Sequence, residues 1–188
     1  MPRPDLTAAQ RAMVDTWERH TAAEFGTKSV DATMATMTGD PVVNHVPVMT
    51  GGVGHDAVRQ FYSTHFVPAQ PPDVELIPLT RTVGTDRIVD ELVYRFTHTI
   101  EMPWMLPGIA ATGRRIEIPL VVIVEFQAGR ISAERIYWDQ ASVLIRVGVL
   151  DSRQLPATGI EATRQVLDPH REPSNRLIAE PRPDQRPS

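Results

Sequence analysis

Several elements of common protein chemistry are missing from this chain. It contains no cysteine. That excludes a disulfide framework, a thiolate-held zinc or iron–sulfur site and a thiol nucleophile, and it fits a reducing compartment. No apolar run is long. Leu120 to Val124 is the longest, far short of the roughly 20 residues that span a bilayer. Positive charge is not in surplus: 19 basic and 23 acidic residues give a net charge of −4. This argues against nucleic-acid and anionic-membrane partners. There is no G-x-S-x-G, no glycine-rich phosphate loop and no H-E-x-x-H. Met1 to Asp5 is polar and lacks the apolar stretch of a secretory signal, so the expectation is a cytoplasmic protein.

What remains is an ordinary globular mixture of 188 residues, 41% apolar and 22% charged. That suffices for one domain with a real core. The 17 prolines are uneven: Pro169, Pro173, Pro181, Pro183 and Pro187 fall in the tail. The expected division is residues 1–150 as the domain and 151–188 as an extension with a short helix near 160–167 and a proline-rich end, disordered or lying over the surface.

Thr7 and Gln10 form a capping-box pattern ahead of Met13, Trp17 and Phe25, which predicts a first helix ending at Gly26. A second short helix is expected over Ser29 to Thr38, a strand over Pro41 to Pro47, a turn over Gly51 to Gly54, and a third helix over Asp56 to Phe66. Val58, Phe61, Tyr62 and His65 are its expected buried side. Four strands follow: Val74 to Val83, Arg87 to Ile100, Arg114 to Phe126 and Arg130 to Trp138. Short connections argue for antiparallel pairing. Helices before strands give an α+β class. After Asp139 a helix runs to Gly148, and Thr158 to Glu161 is a second capping-box pattern. Leu120 to Val124 is apolar at every position rather than alternately, so both sheet faces are covered. Val93, Val121, Ile123 and Tyr137 share the second face, and a partner subunit is the economical cover.

Single polar groups inside apolar strands are the candidates for chemistry: His45, Glu91, Tyr94, His98, Glu134 and Asp139. Histidine suits proton transfer near neutral pH. Each has a plainer reading. Tyr94 could be a core aromatic, Glu134 the partner of an arginine, and Asp139 a helix cap. Trp104 and Trp138 could wall a pocket or fill core. The histidines show no close-set ligand spacing, so no metal is expected.

The ordered series Thr97-His98-Thr99, Leu106-Pro107-Gly108-Ile109, Ala111-Thr112-Gly113-Arg114-Arg115, Gly129-Arg130-Ile131, Tyr137-Trp138-Asp139 and Ile145-Arg146-Val147-Gly148 resembles the SnoaL-like polyketide cyclases. These belong to the cone-shaped α+β barrel superfamily of nuclear transport factor 2, ketosteroid isomerase and limonene epoxide hydrolase. The resemblance covers roughly residues 10 to 150. It implies N-terminal helices packed in a strongly curved, mostly antiparallel sheet, with a deep apolar pocket and homodimerisation through the outer sheet face. It maps the epoxide hydrolase's Tyr-x-Asn pair onto Val43 and His45, and its Arg-x-Asp pair onto Leu92 and Tyr94. The inner Asp falls on Ile136, and the later Asp on Asp139. The family's inner carboxylate and Arg-linked acid pair thus lack counterparts at these positions.

The implied catalytic set is His45, Tyr94, His98, Glu134 and Asp139. The implied substrate-binding set is His65, Leu92, Phe96, Trp104, Ile118, Leu120, Ile136 and Trp138. The implied function is a cofactor-independent acid/base enzyme, an isomerase, cyclase or hydrolase, acting on a small apolar carbonyl or cyclic compound. The alternative is a non-catalytic small-molecule-binding or assembly module. Met102 to Gly113 is the expected lid.

Overall fold

A computed structural model describes residues 5–179. Helix α1 (Ala8–Thr21) opens on the expected capping box: the Thr7 hydroxyl accepts from Gln10 N–H, and the Gln10 side chain accepts from Thr7 N–H. It runs on through a π-helical turn at Ala22–Gly26. The stripe Met13, Thr16, Trp17, His20 is buried, and Glu24 extends it. Helix α2 (Val30–Ala35) follows, capped by Ser29. Strand β1 (Met37–His45) and strand β2 (Thr50–Val53) form a hairpin. Helix α3 (His55–Phe61) ends in a second π-helical turn, Tyr62–Phe66.

The sheet continues with β3 (Glu75–Val83), β4 (Arg87–Thr97), β5 (Arg115–Gln127) and β6 (Arg130–Trp138). Its order is β2-β1-β6-β5-β4-β3. All pairs are antiparallel except β1 with β6. Ala128 and Gly129 both have positive φ, 50° and 75°, as a two-residue hairpin turn between right-twisted strands requires. Register shifts at Pro78/Thr80 and Glu125/Phe126 are bulges. Bulges bend and twist strands, so the sheet curves around α1 and α3. The match to an α+β cone with helices inside a curved sheet is therefore direct. Among the described residues no helix is long and apolar enough to cross a membrane.

The structure corrects several local expectations. The turn at Gly51 to Gly54 is mostly strand β2. There Gly51, with φ 141°, has no room for a Cβ, which would sit 2.0 Å from the Val43 carbonyl oxygen. The second helix is shorter than predicted because β1 begins at Met37. Helix α5 (Ile160–Leu167) has no side-chain cap; Glu161 instead accepts from the Gly159 N–H. The segment after Asp168 includes a short helix, α6 (Arg176–Ala179). Pro181, Pro183 and Pro187 lie outside the described residues.

The apolar run in β5 has a divided explanation. Ile116, Ile118, Leu120, Val122 and Val124 face the core and are buried. Val121 and Ile123 on the other face are half-buried. Val93 on that face is fully buried by the chain itself, and α5 packs on β5, with the Thr163 hydroxyl donating to the Glu117 carbonyl at 2.7 Å. Charged residues flank the remainder, including Arg95 between Glu75 and Glu117, and Arg135 with Glu125.

Asp139 caps helix α4 (Gln140–Val147). It accepts from Ala141 N–H at 2.9 Å and from the Ser142 hydroxyl at 2.6 Å. Asp139→Ala is expected to lower stability by about 1 kcal/mol, with Asp139→Asn close to wild type. Urea melts of both variants check this. Equal stability of Asp139→Ala and wild type would remove the capping role.

Candidate active site

The core holds a cavity of about 60 Å³, partly open to solvent where Thr21, Phe25, Leu76 and Leu92 are half-buried. Its walls come from α1 and its π-helical turn (Trp17, Glu24, Phe25), from α3's π-helical turn (Tyr62, Phe66) and from the sheet's concave face (His45, Leu92, Tyr94, Glu134 and Ile136 among them). Trp104 closes one side. The lining is almost wholly apolar or aromatic, and its charged members are Glu24 and Glu134.

Those two carboxylates converge on one histidine. His20 Nε2 lies 3.1 Å from Glu134 Oε1 and 3.2 Å from Glu24 Oε1. The Tyr62 hydroxyl lies 3.3 Å from the same nitrogen and 3.5 Å from Glu134 Oε1. All three ionisable partners are buried. The placement follows from local structure. His20 and Glu24 are four residues apart on one helical face. Glu134 is on the inner face of β6, paired with Val43 and Val124.

The protons on His20 can be assigned from the neighbouring hydroxyl. Thr36 Oγ1 donates its single proton to the Thr33 carbonyl at 2.6 Å. It can only accept from His20 Nδ1, 2.7 Å away. Nδ1 therefore carries hydrogen, and Nε2 points at the carboxylates. Burial alone would lower the His20 pKa, but Glu134 and Glu24 outweigh it and raise it to about 10. The ring is an imidazolium at neutral pH, stacked 5.4 Å from Trp17. Burial pushes Glu24 upward, with the charge of His20 pulling the other way. Burial likewise pushes the Tyr62 hydroxyl well above its usual range.

The remaining candidates separate. His45 is in the cavity wall. Burial lowers its pKa to about 4, against the bond between Nδ1 and the Thr50 carbonyl at 3.3 Å, so it is neutral and its Nε2 is an acceptor. Tyr94 lines the cavity but donates its hydroxyl proton to Gln70 Oε1 at 2.6 Å. Leu92, Trp104, Leu120 and Ile136 are wall residues. Trp138 stands behind His45 and Trp104, with ring centroids at 5.9 and 6.1 Å. Phe96 and Ile118 are core residues outside the lining. Three expectations are corrected in position. His65 is exposed, on the far side of its π-helical turn. His98 is buried at the end of β4, where its Nδ1 accepts from Thr112 N–H. Asp139 faces the start of α4.

Two carboxylates, Glu24 and Glu134, do reach the cavity, from positions other than those the resemblance marks. An Arg-linked acid also exists. Arg81 holds Asp90 through two 2.7 Å bonds, and Asp90 accepts from the Trp17 indole at 2.8 Å. His20, Glu24 and Tyr62 are the members that strand-based reading passed over. Their signal is the helical spacing Met13, Trp17, His20, Glu24. Among the described residues, His20, Glu24 and Glu134 are also the group whose donor atoms, within 4.8 Å of one another, could hold a metal ion.

The raised pKa of His20 ties stability to pH. Its contribution is fully present below pH 6.5, the ordinary histidine value, and is lost as pH rises toward about 10. The upward shift of Glu24 has the same sign. Stability from urea melts is expected to fall between pH 7 and 10. His20→Gln should flatten that slope. A wild-type slope unchanged in the variant would overturn the assignment.

The SnoaL-like domain family matches residues 11–134. No curated protein sequence matches the chain. Among solved structures, the chain is similar to a candidate SnoaL-like polyketide cyclase from Jannaschia sp. CCS1, with 18% identity and a TM-score of 0.65, covering 79% of this chain and 100% of that one. It is also similar to an NTF2-like protein of unknown function from Burkholderia pseudomallei, with 20% identity and a TM-score of 0.57, covering 73% and 98%. A third is a protein with a ketosteroid isomerase-like fold from Catenulispora acidiphila, at 17% identity and TM-score 0.54, covering 72% and 92%. At such identities the shared property is the fold.

Proposed function

The chain belongs to the SnoaL-like domain family, and we propose that it is a cofactor-independent acid/base enzyme acting on a small apolar carbonyl or cyclic compound held in the cone cavity. The observation that carries this reading is the convergence of Glu24, Glu134 and Tyr62 on His20 at one end of an apolar pocket. Proton transfer near neutral pH needs one group able to accept and one able to give. Glu134, bonded to the imidazolium, is the acceptor. Glu24, pushed toward its protonated form by burial, is the donor.

The step this supports is transfer of a proton from the carbon beside a carbonyl. The C–H bond breaks, its electron pair moves toward the carbonyl oxygen, and the proton passes to the Glu134 carboxylate. Tyr62 or protonated Glu24 hydrogen-bonds the developing oxyanion. Return of the proton to another carbon gives isomerisation. Attack of the enolate on a second carbonyl gives ring closure. Loss of a neighbouring hydroxyl, protonated as it leaves, gives dehydration. His45 and Tyr94 position the compound in this reading, and His98 and Asp139 take no part.

Turnover of a panel of enolisable ketones and lactones tests it. Glu134→Gln and Glu24→Gln are each expected to lose about 10²- to 10⁴-fold in rate, with His45→Gln and His98→Gln within roughly tenfold of wild type. Full turnover in both glutamate variants would sink the assignment. Saturable binding of panel compounds with no turnover would instead make the protein a binding module.

We also assign the uncovered outer sheet face, around Val121, Ile123 and the 39%-exposed Tyr137, to a second copy of the chain. Light scattering is expected to give a dimer that Ile123→Arg converts to monomer. A wild-type monomer would overturn this.

A further inference from the structure

The cavity is small for the ligand just proposed. At about 60 Å³ it has room for a few waters, whereas sites for ring-sized organic molecules run to roughly 300 Å³ and more. The missing volume is occupied by the chain between β4 and β5. Met102, Trp104, Met105 and Leu106 from this one loop are all at most 2% exposed. Trp104 reaches furthest toward the site. Its ring lies 5.0 Å from that of Phe66, 5.1 Å from that of His45 and 5.8 Å from that of Tyr94.

The way this loop is held differs from the way the sheet is held. Among its described hydrogen bonds to the rest of the protein, the tip is held through side-chain donors. The Thr50 hydroxyl donates to the Trp104 carbonyl at 2.6 Å, and the Gln140 amide donates to the Met105 carbonyl at 3.0 Å. The base, in contrast, is stapled by backbone. His98 N–H donates to the Arg114 carbonyl and Gly113 N–H to the His98 carbonyl, both at 2.9 Å. The His98 ring adds a bond from Thr112 N–H at 3.4 Å. Gly108 and Gly113, with φ of 76° and 67° and open space around them, supply backbone freedom between base and tip.

The closed arrangement also leaves polar groups unsatisfied. The Trp104 indole N–H is buried without a hydrogen-bond partner. So is His98 Nε2. A buried donor without an acceptor opposes the state that buries it. Release of the tip would return the indole N–H to water or to an acceptor on an incoming molecule. Strong apolar packing and two replaceable latches thus hold shut a segment that carries its own incentive to open.

We infer that residues 98–114 are the gate of the cavity, with Trp104 as its plug, the Thr50 and Gln140 bonds as its latches and the His98 staple as its hinge. This rests on the reading that the cavity receives a ligand. A ring-sized compound fits only after Trp104 withdraws, and the site it then occupies includes the space the indole vacates. His98, expected to be a catalytic base, becomes a positioning residue for the gate.

Hydrogen exchange on the full chain, followed by mass spectrometry, tests the gate with no ligand. Met105 and Leu106 N–H both donate to the Met102 carbonyl, so their exchange reports opening. Peptides covering 99–112 are expected to exchange by local opening, faster than those of β4 and β5. Thr50→Val should speed the loop roughly five- to tenfold and leave β5 unchanged. Access is measured in parallel by stopped-flow fluorescence with 1-anilinonaphthalene-8-sulfonate, whose rate of entry should rise in Thr50→Val and most in Trp104→Ala. Exchange of the loop at the β5 rate, or a Thr50→Val loop no faster than wild type, overturns the gate. Should Trp104→Ala fail to fold, the Thr50→Val exchange still decides. A loop that opens in a protein turning over no panel compound would leave the gate standing and remove the enzymatic reading.

Discussion

An apolar interior cannot hold an unpaired charge, and this protein places two carboxylates in one. Everything around the cavity is arranged so that they are tolerated. His20 supplies the countercharge, Thr36 fixes the direction in which the ring offers it, and Trp17 gives the ring a stacking face. The Trp17 indole is in turn fixed by Asp90, which is neutralised by Arg81. Deleting one partner of a buried ion pair costs about 3–5 kcal/mol because the other is left uncompensated. Replacing the whole cluster by apolar side chains can be neutral or stabilising. Retaining it is therefore poorly explained by stability alone, which is the physical ground for looking to chemistry.

Backbone irregularities aim the cluster. Glu24 sits in the π-helical turn that ends α1, and Tyr62 begins the π-helical turn that ends α3. The wider turn rotates the residues that follow relative to a regular helix. Glu24 and Phe25 accordingly both reach the cavity wall, as do Tyr62 and Phe66, while His65 is turned outward. On the opposite side, bulges in β3 and β6 curve the sheet, so that Glu134 and Tyr94 approach the helices across the cavity. The polar cluster is thus built where two interrupted helices meet one bent sheet.

This explains which parts were legible in the sequence. The capping box at Thr7 and Gln10 and the strand from Arg130 to Trp138 depend on local rules, and each is visible residue by residue. The α+β order follows from the same signals. The candidate site was half legible. Glu134 stands out as an acid in an apolar strand, and period two assigns it to the inner face with Ile136. Its partners are hidden because His20 and Glu24 read as the polar end of an amphipathic helix. Their burial depends on a sheet that is distant in sequence. His65 fails for a different reason: regular helical period carries it inward, and one π-helical turn is enough to carry it out. The parallel pairing of β1 with β6 has no local signal at all.

Cavity, cluster and loop form one physical system. Interactions between charges strengthen as water is removed, so the His20–carboxylate cluster gains from the apolar walls, Trp104 among them, that line the cavity beside it. An open loop would hydrate the cavity, weaken the hold of His20 on both carboxylates and relax the upward push that burial exerts on Glu24. In the proposed reading, closure over a bound compound restores those conditions with the compound, rather than water, beside Glu134. The same apolar side chains that make the resting cavity too small also supply the burial that pushes the Glu24 carboxyl toward its protonated form. If the loop is the gate inferred above, room for a ligand and the burial of Glu24 are opposed in the resting molecule, and closure over a ligand reconciles them.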